Sequence, residues 1–302
     1  EREIIIPDVT MVGTAMAVLL SGNVPVVVDV KPENGCIDPV RVEEAIDSRT
    51  AAVIPVHVNG RNALTEDLRI LCEWYGLKIV EDAACCYGTY QVCGDILKHL
   101  GTMGDIGCFS LSPTKTITSG QGGVLVTNDE GLYQRISRLK DWGRSREKGT
   151  DHPEIGYNFK FDDIRAAVAL QQLGRLDELC NKKYEAYYNY ERELGDLMFV
   201  RDQPRRITSW YVDIRGSYEK TIYPIRKALE RNEIGSRMIW SPLHKLGAMR
   251  DYVSSEQKFP VAENLCDEIL WLPSSTKLSI DDIAYICDII KKKVDVNNVF
   301  YR

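Results

Sequence analysis

The residues with the clearest chemical potential in this sequence are a lysine and the hydroxyls around it. Lys115 ends the run Ser110-Leu111-Ser112-Pro113-Thr114-Lys115, and Thr116 follows it. A lysine amine attacks carbonyls and moves protons when it is neutral, a state that desolvation and nearby positive charge favour. A lysine taken at random is a solvated surface residue about nine times in ten. The hydroxyls of Ser110, Ser112, Thr114 and Thr116, with glycines soon after, set Lys115 apart. A second stretch, Ile79-Val80-Glu81-Asp82-Ala83-Ala84, reads as a buried strand that ends in acids and then in small residues. Asp82 at such a tip can face a cleft; capping the next helix is the blander use of an aspartate there. A third stretch, Thr118-Ser119-Gly120-Gln121-Gly122-Gly123, is a turn whose glycines allow close backbone approach to a ligand, although such turns also close hairpins.

The elements that must position these groups alternate between strand and helix. Short runs rich in Ile and Val predict strands over 3–6, 25–30, 51–58, 77–81, 107–111 and 123–127. Helices are expected over 10–20, from Asp38-Pro39 onward with Asp38 as N-cap, and over 65–75. This alternation predicts an α/β fold with a mostly parallel central sheet and helices on both faces. Such sheets carry their chemistry on loops at the carboxyl ends of the strands, here 57–61, 82–88, 111–115 and 118–122. One long helix, or a helix with a bend, is expected over about 162–193, bridging a large domain, 1–180, to a small C-terminal α+β domain, 181–302. In the latter, strands fit 209–215 and 236–240, and helices fit 222–231, 261–269 and 280–293.

Composition narrows the function classes. A net charge of −6 argues against a nucleic-acid binder, which would want a basic face. Nine cysteines without a C-x-x-C pair read as reduced thiols in a cytoplasmic protein. No His/Cys spacing predicts a metal site, and no apolar run has membrane-spanning length. The chain opens on Glu1-Arg2-Glu3-Ile4 and runs straight into a strand, so residues upstream are expected.

An amine, a carboxylate on a neighbouring strand tip and a hydroxyl- and glycine-rich cup together meet the needs of pyridoxal phosphate (PLP). That cofactor takes a lysine as Schiff base, a carboxylate on its pyridine nitrogen and donors around its phosphate. With Pro55-Val56-His57, Glu81-Asp82-Ala83-Ala84, the run from Gly104 to Ser110, Lys115, Gly120-Gln121-Gly122-Gly123 and Gly156-Tyr157-Asn158-Phe159-Lys160, residues 4–172 resemble the DegT/DnrJ/EryC1/StrS family of sugar aminotransferases. Pro242-Leu243-His244 and Phe259-Pro260-Val261-Ala262-Glu263 extend the likeness.

The resemblance implies the fold-type-I architecture of PLP-dependent transferases and a homodimer with shared sites. It implies that Lys115 carries PLP, that Asp82 pairs with the pyridine nitrogen and that Ser110 holds the phosphate. Asn158 would reach the phosphate of the neighbouring subunit. Cys85 stands where the family has Gln or His near the cofactor's O3′, and a thiol is a weaker hydrogen-bonding partner there. Met11 stands where many members stack an aromatic ring. Members carry roughly fifty residues ahead of this start, with a Gly-Thr turn that cups the phosphate; Gly13-Thr14-Ala15 is similar but follows another strand and is read as helix packing. The implied reaction moves an amino group from an amino acid, glutamate, to a keto-sugar nucleotide, a 4-keto-6-deoxy sugar. Alternatives are a non-catalytic regulatory member of the fold, or a sugar dehydratase, whose relatives have His in place of Lys115. His57 could line the sugar site or be a structural histidine. Arg237 could meet a substrate phosphate or form a surface ion pair.

Overall fold

The computed structural model describes residues 1–145, 149–201 and 208–294 of the chain. In order, the elements are β1 (Glu3–Pro7), α1 (Gly13–Leu20), β2 (Val24–Val28), α2 (Pro39–Ala45), β3 (Thr50–Val53), α3 (Glu66–Tyr75), β4 (Lys78–Asp82), β5 (Tyr90–Cys93), β6 (Ile96–His99), β7 (Ile106–Ser110), β8 (Gly123–Val126) and α4 (Glu130–Leu139). Then come α5 (Asp163–Leu173), α6 (Leu176–Leu194), β9 (Val212–Arg215), α7 (Tyr223–Arg231), β10 (Arg237–Met238), α8 (Pro260–Glu268), β11 (Ile269–Leu272) and α9 (Ile280–Lys291).

Local chemistry starts the helices where the sequence predicts. Asp38 accepts from Val40 N–H with Pro39 at the first position of α2, and Thr65 accepts from Leu68 N–H to open α3. The main sheet runs β2-β1-β3-β4-β7-β8. Its first neighbours pair in parallel, and β8 returns antiparallel to β7 as an edge strand. Crossover helices between parallel strands bury both faces of this sheet, so Ile5, Val28, Val53 and Ile79 lie in the core beneath α2 and α3.

The structure departs from the sequence reading in three places and decides a fourth that the reading left open. The expected strand 51–58 stops at Val53, and the chain then turns into a short 3-10 helix at Val58–Gly60. The expected long helix is broken at Gly174, so α5 and α6 are separate. Residues 269–272 continue from α8 as a fully buried strand, because Ile-Leu-Trp-Leu fills the centre of the antiparallel sheet β10-β11-β9; a short apolar run of this kind has no period to separate helix from strand. An antiparallel hairpin, β5–β6, stands where no strand was expected.

Helix α6 joins two cores. Leu179 packs with Ala83, Phe109 and Leu111 beside the main sheet. Further along, Tyr187, Tyr190 and Leu194 pack with β9, α7 and α9. The approach of this second layer is close enough to demand glycine. A Cβ on Gly88, at φ +73°, would lie 2.2 Å from Cys180 Sγ, and one on Gly60, at φ +81°, would lie 2.4 Å from the Thr208 carbonyl.

A buried ion pair fastens the two layers. Arg61 Nη1 donates to Asp213 Oδ2 at 2.7 Å, and Asn59 Nδ2 donates to the same oxygen at 2.9 Å. Arg61 also lies over the Phe199 ring at 5.1 Å. Removing one charge leaves the other buried and uncompensated, which costs about 3–5 kcal/mol. Arg61→Ala is therefore expected to lose about that much in urea denaturation, whereas Arg41→Ala, which breaks an exposed pair with Glu44, leaves the midpoint unchanged.

Candidate active site

The sheet brings Asp82 and Lys115 to neighbouring strand ends. Asp82 is the last residue of β4 and sits opposite Cys108 of β7 in the parallel register. Two residues beyond Cys108 the chain leaves β7 at Ser110 and enters the loop that carries Lys115. This loop is closed on itself. Leu111 N–H donates to the Gly122 carbonyl at 2.9 Å, and the Leu111 carbonyl accepts from Ser119 N–H at 3.1 Å and from Thr118 Oγ1 at 2.9 Å.

Adjacent residues on a strand face opposite ways, and the two acids divide accordingly. Glu81 is fully buried. It accepts from the backbone N–H groups of Gly101 at 2.9 Å and of Met103 and Gly104 at 2.6 Å, so it fixes the approach to β7. Asp82 faces the other way and is half-buried. Its Oδ2 accepts from Thr14 Oγ1 at 2.7 Å, its Oδ1 accepts from Ala84 N–H at 3.1 Å, and Thr14 Oγ1 is in turn 3.0 Å from Thr10 Oγ1. Thr14 is thus more than the helix-packing residue expected from the sequence; it orients the tip carboxylate.

The Lys115 amine lies 3.5 Å from Cys85 Sγ and 3.4 Å from the ring centre of Trp210. Burial pushes the Cys85 thiol up, against the pull of the Lys115 charge, so Cys85 stays a neutral thiol. Trp210 also donates Nε1–H to the Thr114 carbonyl at 2.7 Å. Ser110 is half-buried, and its Oγ accepts from Ser112 N–H at 3.3 Å. Met11 is 51% exposed at the start of α1, with its Sδ 3.0 Å from Gly13 N.

Other candidates fall elsewhere. His57 does not line the cleft. It is fully buried, and Ala63 N–H donates to its Nδ1 at 3.1 Å, so its proton sits on Nε2 and is donated to Glu81 Oε2 at 2.9 Å. The expectation that it meets a sugar is corrected: both ring nitrogens are spent on the fold. Arg237 is exposed on β10, forms no ion pair among the described residues, and lies over the Trp271 ring at 5.2 Å. Asn158 is exposed and bridges Asp141 far from Lys115 in sequence, outside the group of side chains gathered here. Trp210 was missed in the sequence, where Ser209-Trp210-Tyr211 reads as strand interior.

The gathered donors fit the cofactor that the sequence resemblance implies. An amine is available for its aldehyde, a held carboxylate for its ring nitrogen, and hydroxyls for its phosphate. Among the described residues no cluster of His, Cys, Asp or Glu could hold a metal ion, and no helix is long and apolar enough to cross a membrane.

Comparisons with known proteins show the family. The DegT/DnrJ/EryC1/StrS aminotransferase family matches residues 1–291. GDP-perosamine synthase of Escherichia coli O157:H7 is 32% identical over 293 residues, which cover 96% of this chain and 78% of that protein. The Vibrio cholerae GDP-perosamine synthase is 31% identical over 294 residues, covering 96% and 79%. Among solved structures, S. venezuelae DesV in complex with a ketimine intermediate superposes with a TM-score of 0.89 at 29% identity, covering 97% of this chain and 79% of that one.

The Glu81 clasp makes the site acid-sensitive. Burial alone would raise this carboxyl, but the His57 ring and the N–H groups of Gly104 and Gly101 outweigh it and hold the group below its ordinary value of 4.5. A carboxyl depressed by folding stabilises fully above its unfolded value, and the contribution is lost as pH falls through the folded one. Glu81→Gln is therefore expected to lower the melting temperature at pH 7 and to narrow the drop between pH 5 and pH 3 relative to the unsubstituted chain. An equal drop in both proteins would show that the clasp does not titrate.

Proposed function

The chain belongs to the DegT/DnrJ/EryC1/StrS family of PLP-dependent sugar aminotransferases, and from that premise we propose that it moves an amino group from glutamate to the ketone of a nucleotide-linked 4-keto-6-deoxy sugar. The observation that carries this reading is the Lys115 amine beside Cys85, on the loop after β7, next to the β4 tip where Thr14 holds Asp82. GDP-perosamine synthases, at 31–32% identity, are named for a nucleotide-linked amino sugar, which supports the substrate class. A lysine at 115 favours transamination over dehydration.

Bound PLP supplies an electron sink that makes the donor's Cα–H acidic. The protein's own groups do the rest. Lys115 would hold the cofactor, and its amine would be the base that lifts and returns a proton at the donor's Cα. Asp82 would keep a proton on the ring nitrogen, and the Thr14 hydrogen bond fixes that carboxylate. Ser110 would receive the phosphate. Cys85 can offer the cofactor oxygen a weak donor.

The active unit in this reading is a dimer. Helix α5 buries none of its residues within the chain, although Ile164, Val168, Leu170 and Leu173 lie along it; Ile164 is 80% exposed. The neighbouring Ile155 and Phe159 are 93% and 71% exposed, and Leu125 on the edge strand β8 is uncovered. A folded monomer rarely leaves many large apolar side chains bare on neighbouring segments of chain. A second copy packed there would cover it, and Asn158, within the patch, would approach that copy's cofactor phosphate.

Two experiments check these points. The purified protein with PLP is expected to show a visible cofactor band and to transfer nitrogen from glutamate to a keto-sugar nucleotide. Lys115→Ala loses both, and Asp82→Asn lowers the rate about 10²-fold or more; an equal band and rate in Lys115→Ala would end the reading. In sedimentation velocity the unsubstituted chain runs as a dimer, and Phe159→Asp with Ile164→Asp runs as a monomer with reduced cofactor retention. A monomer before substitution would remove the shared-site arrangement.

A further inference from the structure

We propose that Trp210 is a positioning residue for Lys115 and that Lys183 and Ser274 hold it in that role; the functional meaning rests on the reading of Lys115 given above. The lysine-bearing loop is grasped twice by one side chain. The Trp210 indole N–H is hydrogen-bonded to the carbonyl of Thr114, the residue before the lysine, and the indole face meets the amine at the far end of the lysine side chain. A lysine has four rotatable bonds, so fixing both its backbone and its amine leaves few rotamers. The charged amine is attracted to the ring face, most strongly where water is excluded. The Cys85 Sγ lies 3.5 Å from the same amine.

Trp210 itself has little freedom. It is nearly buried, and its ring packs against Tyr211 at 4.6 Å, Trp271 at 5.6 Å and Trp240 at 6.1 Å. Its backbone carbonyl accepts from Lys183 Nζ at 2.8 Å and from Ser274 Oγ at 2.9 Å. Lys183 Nζ also donates to the Ser274 carbonyl at 2.6 Å. Lys183 is buried on α6 with no carboxylate partner among the described residues, and desolvation draws its pKa down to about 8. Burying an unpaired lysine is costly. Here the amine ties three segments, α6, the entry to β9 and the exit of β11, at the carbonyl of the residue that faces Lys115. A proton-shuttling amine must stand within a few tenths of an ångström of its reacting atom, so a fixed wall beside it serves the reaction directly.

The test uses the full chain with Trp210→Leu, Trp210→Phe and Lys183→Met. Trace acetylation of the cofactor-stripped protein with acetic anhydride, read peptide by peptide, reports the freedom of the Lys115 amine against exposed Lys98 as internal reference. Trp210→Leu and Lys183→Met are expected to raise Lys115 labelling about threefold or more, while Trp210→Phe, which keeps a ring face, stays within about twofold. With PLP bound, Trp210→Leu is expected to lower kcat about tenfold with KM for the amino donor little changed, and Trp210→Phe to restore most of it. Unchanged Lys115 labelling in Trp210→Leu at an unchanged melting temperature overturns the proposal. If Trp210→Leu does not fold, Lys183→Met decides it by the same labelling criterion, and a rise in Trp210→Leu alone removes Lys183 from the role. None of the labelling outcomes depends on transamination; a missing visible band in the unsubstituted protein sinks the transaminase reading and leaves the labelling result standing.

Discussion

The parallel register between β4 and β7 is the constraint on which everything else depends. It sets Asp82 beside Cys108 and hence the lysine loop beside the tip carboxylate. Slipping it by one residue would exchange Glu81 for Asp82, putting the clasping acid into the cleft and the cleft acid into the core. Glu81 guards against that slip. Its carboxylate takes three backbone N–H groups from the segment leading into β7, and that segment approaches so closely that a Cβ on Gly107 would lie 1.7 Å from the Gly101 carbonyl. The acid without chemistry thus holds the strand that makes the chemistry of its neighbour possible.

The site is assembled from elements with different rigidity. Asp82 stands on a core strand and is oriented from the first helix through Thr14. Lys115 stands on a loop, which is less stiff, and the loop is closed by its own backbone bonds and then walled by Trp210 from the second layer. That layer is fastened independently by Arg61 and Asp213, and by Asp8, which accepts from both the backbone and the ring of His244. Buried charged pairs therefore mark where the layers meet, with Arg61 Nη1 on Asp213 and His244 on Asp8 each bonded across the junction.

The uncovered apolar surface over β8, α5 and the 155–159 segment differs in kind from these junctions. It carries large exposed aliphatic and aromatic side chains, among them Ile155, Phe159 and Ile164.

The sequence by itself determined the alternation that makes a parallel sheet, the cap at Asp38 and the helix that opens at Thr65, because periodicity and capping are local. It ended a helix at Ile269 and gave no strand over Ile269–Leu272, since four consecutive apolar residues have no period. Nor could it choose between cleft and core for His57, whose partners Glu81 and Ala63 are set by the turn after β3. Thr14, Trp210 and Lys183 acquire their roles through partners distant along the chain, Asp82, Lys115 and Ser274. Such pairings exist only after the layers have packed, and no spacing in the sequence encodes them.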